Sequence, residues 1–190
     1  MGESNKVHYD LVDVHAAPLT IAEGVVSFGA PKALRGSISL DLSAQGNISK
    51  LRADGMIYYQ AASNSGYDGS LNMAMVPDWF RREYLGELLD EVSKVQVENA
   101  EAEHKPFALL FGFKGDRKRR CHVLYNCLAG RPGIKGDNKD NEKDPDTESL
   151  PVSAVPLPGG NVKASTTEET AAEVVAGWYQ AVWQQAAAEG

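Results

Sequence analysis

The chain has only two cysteines in 190 residues, Cys121 and Cys127, both inside the stretch CHVLYNC. Read as one strand, residues six apart face the same way but lie about 20 Å apart. A disulfide needs α-carbons within about 7 Å, so the pair reads as two reduced, partly buried thiols. A disulfide scaffold of the secreted kind is excluded. Long apolar runs are also missing, and none approaches the ~18 residues that cross a bilayer. The opening MGESNKVHYDLVDV is polar and acidic, without the apolar core of a signal peptide. Lys6 stands where a myristoylated Gly2 would require Ser or Thr. No membrane or secretion route is expected. Positive charge is in deficit as well: 19 Lys and Arg face 26 Asp and Glu, a net −7. That balance argues against a surface that wraps nucleic acid tightly. It leaves room for an acidic channel wall along which a polyanion slides.

The common signatures of catalysis and phosphate binding are missing too. There is no GxSxG, HExxH, GxGxxG or GxxxxGK, and Ser65–Gly66 opens no nucleophile elbow. The four histidines, His8, His15, His104 and His122, stand singly, without metal-ligand spacing. A zinc site from Cys121, His122 and Cys127 fails because His122 faces away from both thiols in a strand. A calcium loop counted from Asp137 would place Glu148 at its twelfth position. It would also place Lys139 third and Glu142 sixth, where that loop needs an oxygen ligand and a glycine. The segment therefore reads as a solvated loop. No catalytic, cofactor-binding or metal-ligating residue is assigned, and no enzymatic activity is expected. The one basic cluster, DRKRR from Asp116 to Arg120, is short and lacks interleaved aromatics. It reads as a wet turn or an ionic contact between subunits rather than as a DNA site.

What is present is an ordinary folded composition: 43% hydrophobic, 24% charged and 18 glycines, enough for one core with many turns. Period-2 patterns dominate. LVDVHA, Leu11 to Ala16, predicts a first strand ending in a turn at Pro18. In SISLDLSA, Ile38, Leu40 and Leu42 point one way and the serines and Asp41 the other, as in a half-buried strand. SKLRAD and MIYYQ read as extended. In SLNMAMVP, Leu71, Met73 and Met75 alternate with Asn72, Ala74 and Val76. KPFALLFGFKGDRKRRCHVLYNCLA predicts a hairpin, with Phe107 to Phe113 and Arg119 to Ala129 as its arms and Gly115–Asp116 at its turn. In the second arm Cys121, Val123, Tyr125 and Cys127 share one face and His122, Leu124, Asn126 and Leu128 the other. Apolar groups on both faces predict a central strand covered on each side. SLPVSAVPLP is expected at a sheet edge because of Pro151 and Pro156, and NVKAS as a last strand. Two segments change to helical period. One is Pro77 to Leu89, with Gly86 weakening its last turn. The other is the alanine-rich end, about 168–187, with Thr166 and Glu169 placed as a capping box and Val174, Val175, Trp178, Val182 and Trp183 as its buried stripe. The fold class expected is mainly β, an antiparallel sandwich or barrel with one or two flanking α-helices. It forms a single domain over 1–190 with an N-terminal arm (about 1–10) and a charged loop (about 131–147).

Five stretches carry a resemblance that no short motif carries. They are SISLDLSAQG, LRADGMIYYQAASNSGYDGSLNMAMVPDWFRREYLGE, VENAEAEHKPFALLFGFKGDRKRRCHVLYNCLAGRP, TESLPVSAVPLPGG and the closing WYQAVW. In order and spacing, from about Val12 to Trp183, the chain resembles the phi13-type family of major tail proteins from siphophages of Gram-positive hosts. It departs mainly in the charged loop Gly136 to Asp146 and after Trp183, and it leaves no room for an appended immunoglobulin-like domain. The resemblance implies a tail-tube type β-barrel or sandwich with a flanking helix. It implies a virion tail protein assembled in the host cytoplasm, whose copies form hexameric rings that stack into a tube. The implied partners are other copies, a tape-measure protein inside the tube, and a tail terminator and a distal tail protein at its ends. DNA would pass through a mainly negative lumen without specific binding, and the loops Gln45 to Ala53 and Arg131 to Thr147 are candidates to reach the next ring. A tail terminator or baseplate hub component on a related fold is the alternative, and a non-viral binding module a more distant one.

Overall fold

A computed structural model describes residues 9–115, 120–136 and 145–186. Its elements run β1 (Tyr9–Ala22), β2 (Val25–Phe28), β3 (Lys32–Ala33), β4 (Ser37–Gln45), β5 (Ile48–Ala53), β6 (Met56–Ala62) and β7 (Gly66–Met73). Helix α1 (Asp78–Tyr84) follows, then β8 (Leu88–Leu89), β9 (Gln96–Val97), β10 (Phe107–Lys114), β11 (Cys121–Ala129), β12 (Glu148–Ala154), β13 (Lys163–Ser165) and helix α2 (Ala172–Gly177). The main sheet is antiparallel, ordered β2-β1-β10-β11-β12-β7-β4, with β13 added on β11 and β3 on β1. The fold is therefore mainly β and antiparallel, as expected. Among the described residues the sheet does not close into a barrel, and β4 has a single ladder partner, β7.

Strand β10 sets the position of the core because it is apolar on both faces. Phe107, Leu109 and Phe111 point into a larger cluster with Leu71, Met73, Phe80, Tyr84 and Leu150. Ala108 and Leu110 point into a smaller one with Val123, Tyr125, Trp178 and Val182. Period 2 thus gives one strand two buried faces, with α1 at the first core and the α2 region at the second. β11 has both covers expected of it, but its faces are not those of strict alternation. The ladder steps from Phe107↔Cys127 to Leu109↔Leu124, which leaves one extra residue on β11. This bulge turns Cys127 into the larger cluster while Cys121 stays in the smaller one. The two free thiols therefore lie on opposite faces, which removes any shared site by a different route from the one spacing implied.

Other departures have equally local causes. β1 continues through Pro18, which pairs opposite Phe107 instead of turning the chain. The Pro18 carbonyl accepts from Gly29 N at 2.8 Å, so the side lacking an N–H faces the end of the β2 ladder, where the loss is tolerated. β12 is an interior strand between β11 and β7, not an edge. Its Pro151 carbonyl accepts from Gly130 N at 2.8 Å, so the missing donor points past the last β11 pair, Ala129↔Val152. On β4 the register moves from Ser37↔Met73 to Ser39↔Asn72. Ile38 is the extra residue and turns outward, whereas Leu40 and Leu42 pack on the larger cluster. β7 ends at Met73, so Met75 is exposed.

Both helices are shorter than their patterns predict. α1 stops at Tyr84, where Gly86 takes the left-handed φ of 74° and turns the chain so that Glu87 N donates back to Arg81 O at 3.2 Å. Leu88 and Leu89 then become a strand. The C-terminal helix covers only Ala172–Gly177. Before it, Thr167 N donates to Thr170 Oγ1 at 2.8 Å, a local alternative to helix. Thr166 caps nothing; it is buried, and its Oγ1 accepts from Cys121 N at 2.9 Å. Trp178 and Val182 are buried and Val174 and Val175 partly so, while Trp183 stacks on Trp178 at 6.4 Å and stays half-exposed.

Candidate assembly interface

Between β4 and β7 the ladder does not stop at the body of the sheet. Ser65 N donates to Gln45 O at 2.8 Å, Ser63 N to Asn47 O at 2.9 Å, and β5 then pairs with β6 from Ile48↔Ala62 to Ala53↔Met56. Gly46 permits the crossing, because a Cβ there would lie 2.1 Å from the Ser63 carbonyl oxygen. At the far end Asp54 and Gly55 have φ of 51° and 80°, the two positive values of a type I′ hairpin turn. The result is a two-stranded arm with no third strand beside it among the described residues.

The arm is apolar and uncovered. None of its strand residues is buried, and Ile48, Leu51, Met56, Ile57, Tyr58 and Tyr59 are all exposed, Tyr58 at 78%. Leu51 stands opposite Tyr59, and Lys50 opposite Gln60. A lone hairpin is marginal in water, and contiguous exposed apolar surface marks an interaction site. The resemblance implies a ring-contact loop at Gln45 to Ala53; the structure makes Ile48–Ala53 one strand of this arm. The Asp54–Gly55 dipeptide, flanked by apolar residues, is the signal that reveals the whole arm.

A second uncovered hairpin is β8–β9, which the helical reading of Pro77 to Leu89 conceals. Leu88, Leu89, Val92, Val95 and Val97 are exposed on it. Its turn is firmly built: Asp90 Oδ1 accepts from Ser93 Oγ and Ser93 N, both at 2.6 Å, and from Val92 N at 3.2 Å. These bonds, the Ser93 hydroxyl first, hold the Asp90 carboxyl below its ordinary range. The base is tied down as well. Gln96 Nε2 donates to Glu87 at 2.6 Å, Arg82 donates to Gln96 at 2.9 Å, and Arg81 binds Glu148 with two bonds of 2.9 and 3.0 Å.

Of the remaining sites weighed from the sequence, His15 and Arg120 line a cleft with Val12, Lys114, Val175 and Tyr179. The His15 ring stacks on Tyr179 at 4.8 Å, with its Nδ1 2.8 Å from Asp13 O. His104 Nδ1 lies 2.7 Å from Ala129 O, and His122 stacks on Phe111 at 5.2 Å. Among the described residues, no three His, Cys, Asp or Glu side chains gather where they could hold a metal ion. No helix among them is long and apolar enough to cross a membrane. The N-terminal arm up to His8, residues 116–119 of the basic cluster and residues 137–144 of the charged loop lie outside the described residues.

No family model matches the chain. No curated protein matches it either. Among solved structures, a chain in the six-fold symmetrised cryo-EM structure of the anti-feeding prophage baseplate is similar, with a TM-score of 0.45 and 13% identity over 90% of this chain and 100% of that one.

Proposed function

We propose that this chain is a non-enzymatic structural subunit of a phage-tail-like virion, whose copies join into rings. The observation that carries the reading is the β5–β6 arm, with Ile48, Leu51, Met56, Ile57, Tyr58 and Tyr59 exposed on a hairpin that pairs with no further strand among the described residues. Burial against another copy removes that surface from water and stiffens the hairpin. A contact between unlike surfaces of identical chains repeats, and it closes into rings or continues as a filament. Among the described residues β4 has a ladder partner on one side only, which makes its other side a further place where a neighbour's strand can extend the sheet.

The ordered segment resemblance supports the tail tube as the assembly, with hexameric rings stacked around a tape-measure protein and a terminator and a distal tail protein at the ends. In that setting the net charge of −7 keeps DNA moving through the lumen rather than gripping it. A ring of the baseplate is the second placement, the kind of assembly in which the similar solved chain is found. An exposed arm serves either placement, and copy number separates them: a tube repeats its ring many times, a baseplate does not.

The test is negative-stain electron microscopy with mass photometry on the purified protein across concentration. Stacked rings or hollow tubes support the tube, and discrete closed rings that never stack support the baseplate placement. Protein that remains monomeric up to its solubility limit overturns self-assembly through the arm.

A further inference from the structure

We propose that the β5–β6 arm of one copy docks on the β8–β9 hairpin of a second copy, an inference that rests on the ring-forming reading. The two surfaces match in kind. Each is an uncovered hairpin rich in exposed apolar side chains, with Leu51 at 58% and Met56 at 70% on the arm and Leu88 at 64% and Val92 at 93% on the other. Within one copy neither covers the other, since both remain exposed.

Their charges are opposite. The arm, residues 48–62, carries Lys50 and Arg52 against Asp54 alone, in a chain that is acidic overall. The β8–β9 hairpin and its exit, residues 88–103, carry Asp90, Glu91, Glu98, Glu101 and Glu103 against Lys94, and the surface stays acidic with Arg131 bonded to Glu98 and Arg82 to Gln96. Two arms facing each other would oppose like charges, and so would two β8–β9 hairpins. Only the unlike pairing joins apolar surface to apolar surface with complementary sign. Running head to tail from copy to copy, such a pairing is heterologous, which is the geometry that builds rings.

The receiving hairpin is also preorganised. Its turn is fixed by the Asp90 bonds, and its base by the chain from Gln96 through Glu87 and Arg81 to Glu148. Little ordering is left to oppose docking there. The arm supplies the reach, since a strand of seven residues spans roughly 23 Å.

Paired charge reversals test this directly. Lys50→Glu with Arg52→Glu makes the arm acidic, and Glu91→Lys with Glu101→Lys and Glu103→Lys makes the receiving surface basic; circular dichroism checks that each variant folds. Each multiple variant alone is expected to lose assembly. An equimolar mixture is expected to regain it, because every arm then finds a receiver of opposite charge. A second readout mixes Tyr58→Cys and Val92→Cys chains under mild oxidation, with the native Cys121 and Cys127 buried. A disulfide-linked dimer is expected in the mixture and in neither variant alone. Assemblies that survive either reversal, a mixture that fails to regain assembly, or cross-links between like variants overturn the docking and leave the ring reading standing. Wild-type protein that forms no oligomer overturns both.

Discussion

At the scale of single residues, three buried groups, Tyr84, Tyr125 and Cys127, keep their protons because of burial. The Tyr84 ring packs against Phe80 at 4.8 Å and Phe107 at 5.0 Å, while its hydroxyl has no hydrogen-bond partner among the described residues. Burial first, and the Glu83 carboxylate second, push the phenol far above its ordinary range. A buried hydroxyl without a partner costs about 1–3 kcal/mol. Tyr84→Phe is therefore expected to leave stability unchanged or raise it by about 1 kcal/mol in urea titrations, whereas Tyr84→Ala should cost about 3–5 kcal/mol through the lost packing. A clear loss on Tyr84→Phe would mean the hydroxyl has a partner in solution. Cys127 and Tyr125 are both pushed up to about 12, chiefly by burial, from ordinary values of 9.0 and 10.0. The native state therefore holds these protons more tightly than the unfolded chain does. Their contribution to stability is complete below pH 9.0 and is lost progressively as pH climbs towards about 12. The urea midpoint should fall across that window, and Cys127→Ala should make the fall shallower. A midpoint that stays flat through the window sinks this assignment.

At the scale of elements, one ion pair joins helix to sheet. Arg81 on α1 makes two bonds to Glu148 at the start of β12, and the same carboxylate accepts from Val76 N at 2.5 Å. Losing it leaves the Val76 N–H without its acceptor and Arg81 with only its longer contacts to Val76 O and Glu87, so Glu148→Ala should destabilise by about 2–4 kcal/mol. Because the pair is partly shielded, high salt should recover little of that loss in thermal melts. A change below about 0.5 kcal/mol would show that α1 is held by Phe80 and Tyr84 alone. That link joins residues 67 apart and is not legible in the sequence, since no local pattern pairs Arg81 with Glu148. Alternation or continuous apolarity locates β4, β10 and β11, because half-buried and fully buried strands write themselves that way. Bulges defeated the finer reading: one extra residue turned Ile38 outward and parted Cys121 from Cys127. Helical spacing in Pro77 to Leu89 holds only as far as Tyr84, because Gly86 in the left-handed conformation ends the helix whatever follows. Prolines misled differently. Pro18 and Pro151 sit inside long strands at points where the neighbouring ladder has run out.

At the scale of the whole molecule, the arm and the body are separable. The two core clusters contain no residue of β5 or β6, so the arm contributes almost nothing to the buried area that stabilises the domain. Replacing 48–62 by an Asn–Gly turn between Asn47 and Ser63 keeps the backbone bond of Ser63 N to Asn47 O that closes the β4–β7 ladder. The shortened chain should unfold within about 1 kcal/mol of the full one, as surface changes away from the core do. It should also stay monomeric at every concentration where the full chain forms rings. Calorimetry and mass photometry on the pair measure the two quantities independently. Unchanged stability with lost assembly places the arm's apolar residues in the service of a neighbour. A matching loss of stability would instead make the arm part of the fold, and its exposed tyrosines would need a cover within the same copy. Rings formed without the arm would move the interface elsewhere, with the free side of β4 the next surface to block.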